Sequence, residues 1–268
     1  MDKAKILFVS QEIMPYLPET QISHISRRLP QGILEKGKEI RTFMPRYGNV
    51  NERRNQLHEV IRLSGLNLNI DDTDHPLIIK VASIQSARMQ IYFIDNDDYF
   101  QRKTLFTEPD GSYCADNDER AIFFARGVLE TTRKLRWAPS IIHCHGWFTS
   151  FVPFFARYLF ADDPHFATSK IVISLYPDAF DNRWDNRLRD KLKVENLADN
   201  AFDNLNVTDY QSLMRMAIDL SDGVCIGSPE ADGALIEYAR SKSKPILDYH
   251  NEETYIAATN EFYDQLLQ

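Results

Sequence analysis

An α/β fold built on a Rossmann-like, doubly wound and mostly parallel sheet is predicted for this chain by three observations. Short apolar runs of strand length alternate with stretches of helical period along nearly all of the 268 residues. The first 45 residues read strand, loop, helix, strand. No repeat, low-complexity run or Pro/Gly/Ser linker divides the chain, so a single domain spanning 1–268 with one full core is expected.

Ile6-Leu7-Phe8-Val9-Ser10 is the first strand. A loop from Glu12 to Gln21 follows, then a helix over 23–36. Its Ile22, Ile25, Leu29 and Ile33 fall three or four apart, so one face packs on the sheet. Pro30 should bend or split that helix, because proline removes a backbone donor and crowds the preceding turn. Gly37 stops it, and Glu39 to Phe43 form the second strand. Parallel strands joined by a helix place the first loop at the carboxyl edge, where open α/β sheets bind ligands.

Strands at 58–63, 77–84 and 89–94 lie too close together for crossover helices and predict a β-hairpin excursion at one sheet edge, with Asp71-Asp72-Thr73-Asp74 as a turn. The polar and aromatic stretch 95–117 reads as an irregular surface loop. A helix over 117–136 carries Ala121, Phe124, Val128 and Leu135 on one stripe. A strand at 140–144, an aromatic-rich helix at 148–159 and a strand at 170–175 follow. The charged stretch 176–206 yields no assignment. Helix 209–220, strand 223–226, helix 229–241, strand 245–247 and helix 252–267 complete the pattern.

Composition excludes several classes. A net charge of -8 with interspersed signs and no basic stripe argues against a general nucleic-acid binder. The N-terminus leads straight into a strand and no apolar run reaches bilayer length, so neither a signal segment nor a membrane partner is expected. Cys114, Cys144 and Cys225 are odd in number and lack metal-type spacing, which fits a reducing cytoplasm without a disulfide framework or zinc site.

The loop from Gln11 to Gln21 carries two prolines and no glycine. A phosphate cradle needs closely approaching backbone N–H groups, so a connector is the better reading. His143 and His145 share one strand face; without a third ligand they read as a pair bonded to backbone at a strand end rather than a metal site. Trp147 suits stacking on a sugar or burial at a helix start. Asp118 and Glu119 begin a helix and complement its dipole. Asp178, Asp181 and Asp185 carry no motif marking a general acid or base, and Ser10 and Ser228 lack a Gly-x-Ser-x-Gly elbow.

One set of segments resembles a known family. Glu12-Ile13-Met14-Pro15-Tyr16, Leu29-Pro30, Glu35-Lys36-Gly37-Lys38-Glu39-Ile40-Arg41, Pro45-Arg46-Tyr47-Gly48, Tyr92-Phe93-Ile94-Asp95-Asn96, Asp116-Asn117-Asp118-Glu119-Arg120 and His143-Cys144-His145-Gly146-Trp147 are similar to motifs of the N-terminal domain of bacterial glycogen synthases and plant starch synthases. These are ADP-glucose-dependent retaining glycosyltransferases of the GT-B type. The resemblance implies the N-terminal half of a GT-B fold and glucosyl transfer from ADP-glucose to α-1,4-glucan, with no cofactor and no metal. It implies a substrate-binding surface around Glu12, Tyr16, Asp95, Asn96, Tyr99, His143, His145 and Trp147, with Tyr99 and Trp147 stacking on sugar rings.

Against the family pattern, Pro18 stands for the lysine that contacts the nucleotide phosphates, Thr20 and Gln21 for two glycines, and His24 for an aspartate. Gly146 replaces another aspartate, Phe148 a histidine or glutamine, and Ile173-Ser174-Leu175-Tyr176 lacks a family histidine. The family's arginine, lysine and glutamate from its second Rossmann-like domain are not among these residues. The initial methionine and terminal helix read as a natural full-length chain. Stabilising charge on a leaving diphosphate needs preorganised positive groups, so weak or no transfer is expected of this chain alone, and no catalytic residue is assigned. The alternative is a non-catalytic glucan-binding protein or a regulatory partner of a synthase, with an apolar patch for that partner.

Overall fold

The computed structural model describes residues 3–268 except 182, 185 and 204, so Asp185 lies outside the described residues. Strand β1 (Lys5–Ser10), helix α1 (Gln21–Glu35) and strand β2 (Glu39–Pro45) form the first unit. Helix α2 (Glu52–Asn55) leads to β3 (His58–Glu59), β4 (Leu66–Ile70), β5 (Thr73–Ile84) and β6 (Met89–Asp95). Then come α3 (Asp97–Phe100), α4 (Asn117–Lys134), β7 (Ile141–His145), α5 (Phe151–Tyr158), β8 (Lys170–Leu175) and α6 (Leu188–Leu192). The chain finishes with α7 (Tyr210–Leu220), β9 (Gly223–Ile226), α8 (Gly233–Ser241), β10 (Ile246–Leu247) and α9 (Tyr255–Leu266).

The sheet order is β10-β9-β8-β7-β1-β2-β6-β5-β3, parallel from β10 to β6. At the far edge β5 runs antiparallel to β6, and β3 and β4 run antiparallel to β5, which is the predicted hairpin excursion. From β1 the chain builds outward through β2 and later in the opposite direction through β7. The carboxyl ends of β1 and β7 therefore form a topological switch point, where open sheets leave a crevice.

Strand periodicity divides the core into two layers. Leu7 and Val9 face the layer of α4, α5 and α7, while Ile6 and Phe8 face α1 and α9 with Leu29, Ile33, Phe262 and Tyr263. Helix α1 runs unbroken through Pro30, contrary to the expected split. Its buried face supplies the reason: Leu29, Pro30 and Ile33 are covered, and Gly32 sits so close to α9 that a Cβ would lie 2.5 Å from Ile256.

Two other expectations change, and one strand is added. The strand expected at 58–63 shrinks to two residues, and β4 is an added strand: Leu66-Asn67-Leu68-Asn69-Ile70 alternates cleanly, but asparagine is disfavoured in strands and masks it. Asp71 and Asp72, at φ 50° and 60°, make the two-residue turn that joins β4 to β5. The stretch 95–117 is not a surface loop: Tyr99, Phe100 and Cys114 are buried. The buried Arg120 holds it on α4, its Nε donating to the Tyr99 carbonyl (2.7 Å) and its Nη1 to that of Leu105 (2.7 Å). Within 176–206, α6 docks through Lys191, whose Nζ lies 2.7 Å from Asp118 and 3.1 Å from Glu119.

Candidate functional site

The turn after β7 positions the site. Gly146 adopts φ 86° and ψ 155°, and a Cβ there would lie 2.2 Å from Gln11 Oε1. The Gln11 N–H donates to the His145 carbonyl (3.1 Å), and its Oε1 accepts from Phe148 N (3.3 Å). The ends of β1 and β7 are thus laced together, with one concavity on each side of the lacing.

The first is a cavity of about 390 Å³ below the start of α1, at the ends of β7 through β10 and beside α9. His143 Nδ1 lies 2.5 Å from the Tyr263 hydroxyl and Nε2 2.7 Å from Ser174 Oγ; His145 Nδ1 lies 2.8 Å from the Tyr176 hydroxyl. Their partners are side-chain hydroxyls, not the expected backbone. Burial pushes both imidazoles down, His145 to about 3, so both are neutral. Glu19, Asp248 and Glu252 also line this cavity, and among the described lining residues there is no lysine or arginine.

The residues at which the chain departs from the resemblance have local uses here. Thr20 caps α1: its Oγ1 accepts from Ser23 N (3.0 Å) and donates to Glu12 Oε2 (2.8 Å). The Pro18 carbonyl accepts from Ser23 Oγ (3.0 Å), and Gln21 Nε2 donates to the Gly227 carbonyl (3.3 Å). His24 stands between Glu19 (3.4 Å) and Glu252 (3.7 Å). Phe148 is fully buried against Phe106 and Phe124.

The second concavity is an open cleft of about 650 Å³ lined by Gln11, Glu12, Tyr113, Trp147, Asp178 and Phe180 among others. Glu12 accepts from Gln11 Nε2 (3.0 Å) as well as from Thr20. Asp178 accepts from Trp147 N (2.8 Å) and the Tyr210 hydroxyl (3.1 Å); enclosure of its carboxyl raises it to about 6, against the bonds that favour the anion. Trp147 is 2% exposed, its ring packed at 4.7 Å on Phe180 and 5.0 Å on Phe106, so burial supersedes free stacking.

Glu12, His143, His145 and Trp147 therefore gather at one sheet edge, divided between two concavities. The remaining residues of the expected surface line neither. Tyr16 packs edge-on against Phe93 at 4.9 Å. Asp95 is buried between Arg46 (3.0 Å) and Lys80 (2.9 Å), and Asn96 caps α3. The Tyr99 hydroxyl donates to Glu119 (3.0 Å) beside His75 (2.9 Å). Sequence reasoning missed Tyr176, Cys225, Tyr255 and Tyr263, which are drawn from distant elements, and gave Asp178 no mark.

Among the described residues, no group of three or more His, Cys, Asp or Glu could hold a metal, and no helix is long and apolar enough to cross a membrane.

The family model of the starch synthase catalytic domain matches residues 5–238. Glycogen synthase of Chlorobium limicola is 38% identical over 173 residues, which cover 64% of this chain and 35% of that protein. Its counterpart in Chlorobaculum tepidum is 37% identical over 173 residues, 64% of this chain and 36% of the relative. The catalytic domain of Starch Synthase IV from Arabidopsis thaliana, bound to ADP and acarbose, shares the fold with a TM-score of 0.73 at 16% identity, over 93% of this chain and 52% of that one. These matched regions amount to about a third of the length of the curated relatives. With its parallel sheet, its switch-point crevice and a match across most of its length, this chain belongs to the starch synthase catalytic domain family.

Proposed function

We propose that this chain is a glycogen or starch synthase-type glycosyltransferase domain whose own residues recognise α-glucan and, taken alone, turn over ADP-glucose weakly or not at all. One observation carries the reading. The cavity at the start of α1, where Pro18, Thr20 and Gln21 stand at the family's phosphate-contacting positions, is lined by Glu19, Asp248 and Glu252, with no lysine or arginine among its described lining residues. The Ser23 N–H, a first-turn donor, is already taken by Thr20. A diphosphate needs free N–H groups and positive charge there, and losing one stabilising donor typically costs about 10²–10³ in rate.

The open cleft supports the glucan half of the reading. It sets carboxylates that accept hydroxyl hydrogen bonds beside Tyr113 and Phe180, the mixture of few polar and several aromatic groups that small-molecule sites use. A synthase-partner role draws less support, since among the described residues the exposed large apolar side chains are Ile61, Tyr249 and Leu267. Buried free thiols at Cys114, Cys144 and Cys225 suit a reducing compartment such as the cytoplasm.

Calorimetric titration with maltoheptaose and with ADP-glucose at millimolar concentration, joined to an assay of glucose transfer, tests the proposal. Binding of maltoheptaose without ADP-glucose binding or turnover is expected. Sustained transfer from ADP-glucose by this chain would overturn the catalytic half, and absence of maltoheptaose binding the glucan half.

A further inference from the structure

We propose that a groove along α7, distinct from both concavities, binds a small zwitterion with an apolar side chain, a free hydrophobic α-amino acid. The groove has a volume of about 470 Å³ and lies between α7, α5, the stretch 201–209 and Tyr238 of α8. It shares no lining residue with the cavity or the cleft, so this inference goes beyond the reading above.

Helical period sets out the groove. Gln211, Arg215 and Asp219 recur every four residues on α7, with Ser212, Met216 and Leu220 beside them, so these side chains share one face. The buried Phe154, Leu205 and Val207 add apolar wall. Three polar groups have unused capacity. Arg215 is exposed, rests its guanidinium 5.0 Å from the centre of the Tyr238 ring, and makes no hydrogen bond or ion pair with a described residue. Gln211 turns its amide nitrogen to the carboxylate of Asp232, which can only accept, so its Oε1 faces away; that oxygen is enclosed and accepts no bond from a described residue. Asp209 takes both Ser212 bonds on Oδ1, the backbone N–H at 2.9 Å and the hydroxyl at 2.7 Å, and they hold its carboxyl below the ordinary value and ionised. Its Oδ2 accepts from no described residue.

These capacities call for both signs of charge in one ligand. The planar fork of Arg215 matches a carboxylate, while Gln211 Oε1 and Asp209 Oδ2 accept from an ammonium, which carries three donors. Residues four apart on a helix stand about 5–6 Å apart at Cβ, so one α-amino acid reaches both Gln211 and Arg215. Its side chain then covers Met216, Leu220 and Val207. An anion alone would face Asp209 and Asp219, and a cation alone would face Arg215. A sugar is served less well, because the groove has no free ring face for stacking. Phe154 and Tyr158 pack on each other at 5.2 Å, and the Tyr238 ring already carries Arg215 and, at 4.7 Å, Lys242. The volume lies within the range of roughly 300–1,000 Å³ usual for small-molecule sites.

The test is titration of the whole chain with free leucine, followed by NMR through the isotope-labelled methyl group of Met216. Leucine at up to tens of millimolar should move that signal. Leucinamide, which lacks the carboxylate, and N-acetylleucine, which lacks the ammonium, should each bind at least about tenfold more weakly, the effect of one lost charge-assisted contact. Arg215→Gln alters an exposed residue and should leave the fold intact while abolishing the preference for leucine over leucinamide. A Met216 signal unmoved by leucine overturns the proposal, as does an equal response to leucine, leucinamide and N-acetylleucine, or a response to maltoheptaose in place of leucine. A folded Arg215→Gln variant that still prefers leucine to leucinamide overturns it as well.

Discussion

The cavity at the start of α1 and the wider cleft beside it share a strand-end turn and a lacing glutamine, yet acid acts on them in opposite senses. In the cavity, burial holds His143 and His145 neutral, so lowering the pH loads strain onto the fold. In the cleft, enclosure raises Asp178 to about 6, so lowering the pH relieves it. The cause is one: desolvation disfavours whichever form is charged, the protonated imidazole on one side and the ionised carboxyl on the other. A neutral floor and a titrating wall thus arise within a few residues of each other.

The sharpest way to break this division is Gly146→Asp, at the shared turn. At φ 86° and ψ 155° the backbone lies in a region occupied essentially by glycine alone. The new Cβ would also drive out the Gln11 side chain, with its bonds to Phe148 N and Glu12. A loss of about 3 kcal/mol is expected from backbone strain and broken hydrogen bonds. Chemical denaturation reads it, and unchanged stability would show that the turn relaxes and does not set the two concavities apart.

The scaffold was far more legible in the sequence than the cavity. Strands β8 and β9 announce themselves as apolar runs bounded by breakers, since a central parallel strand is buried on both faces. The cavity depends on residues brought from afar: Tyr263 meets His143 across 120 positions, and no local pattern signals that pairing. Asp95, Asn96 and Tyr99, which the resemblance groups on one surface, are held apart in the fold: Asp95 by Arg46 and Lys80, Asn96 as the cap of α3, and Tyr99 by Glu119. Thr20, Gly146 and Phe148 read as losses of chemistry, whereas in the fold they are a helix cap, a glycine turn and a core ring.

Removing the two titrating groups one at a time sharpens the comparison. Between its ordinary value of 3.8 and about 6, Asp178 keeps in the folded state a proton that the unfolded chain has released. Its contribution therefore falls as pH rises through that window, by about 2 kcal/mol after allowance for partial exposure. Between about 3 and 6.5, His145 is the reverse: the unfolded chain holds the proton, and stability rises with pH. Asp178→Asn should leave a steeper rise with pH and His145→Gln a shallower one, measured by urea denaturation across that range. A slope unchanged by Asp178→Asn would mean that the carboxyl binds its proton equally in the folded and the unfolded chain.

The smallest effect is expected at the cavity mouth. Glu252 is exposed, and its contacts with His24 and Arg28 are both 3.7 Å, long for ion pairs and open to screening. Glu252→Gln should change stability by less than about 0.5 kcal/mol, because exposed pairs of this kind contribute little. Its consequence lies in the field rather than the fold: with one carboxylate fewer, an anion meets less repulsion and Arg28 loses its partner. Glucose 1-phosphate affinity should therefore rise a few-fold at low salt and return to baseline as salt is added. If stability falls by more than 1 kcal/mol instead, the mouth is a structural clasp between α1 and the segment before α9, and the contrast between a shaped cavity and a charged rim no longer holds.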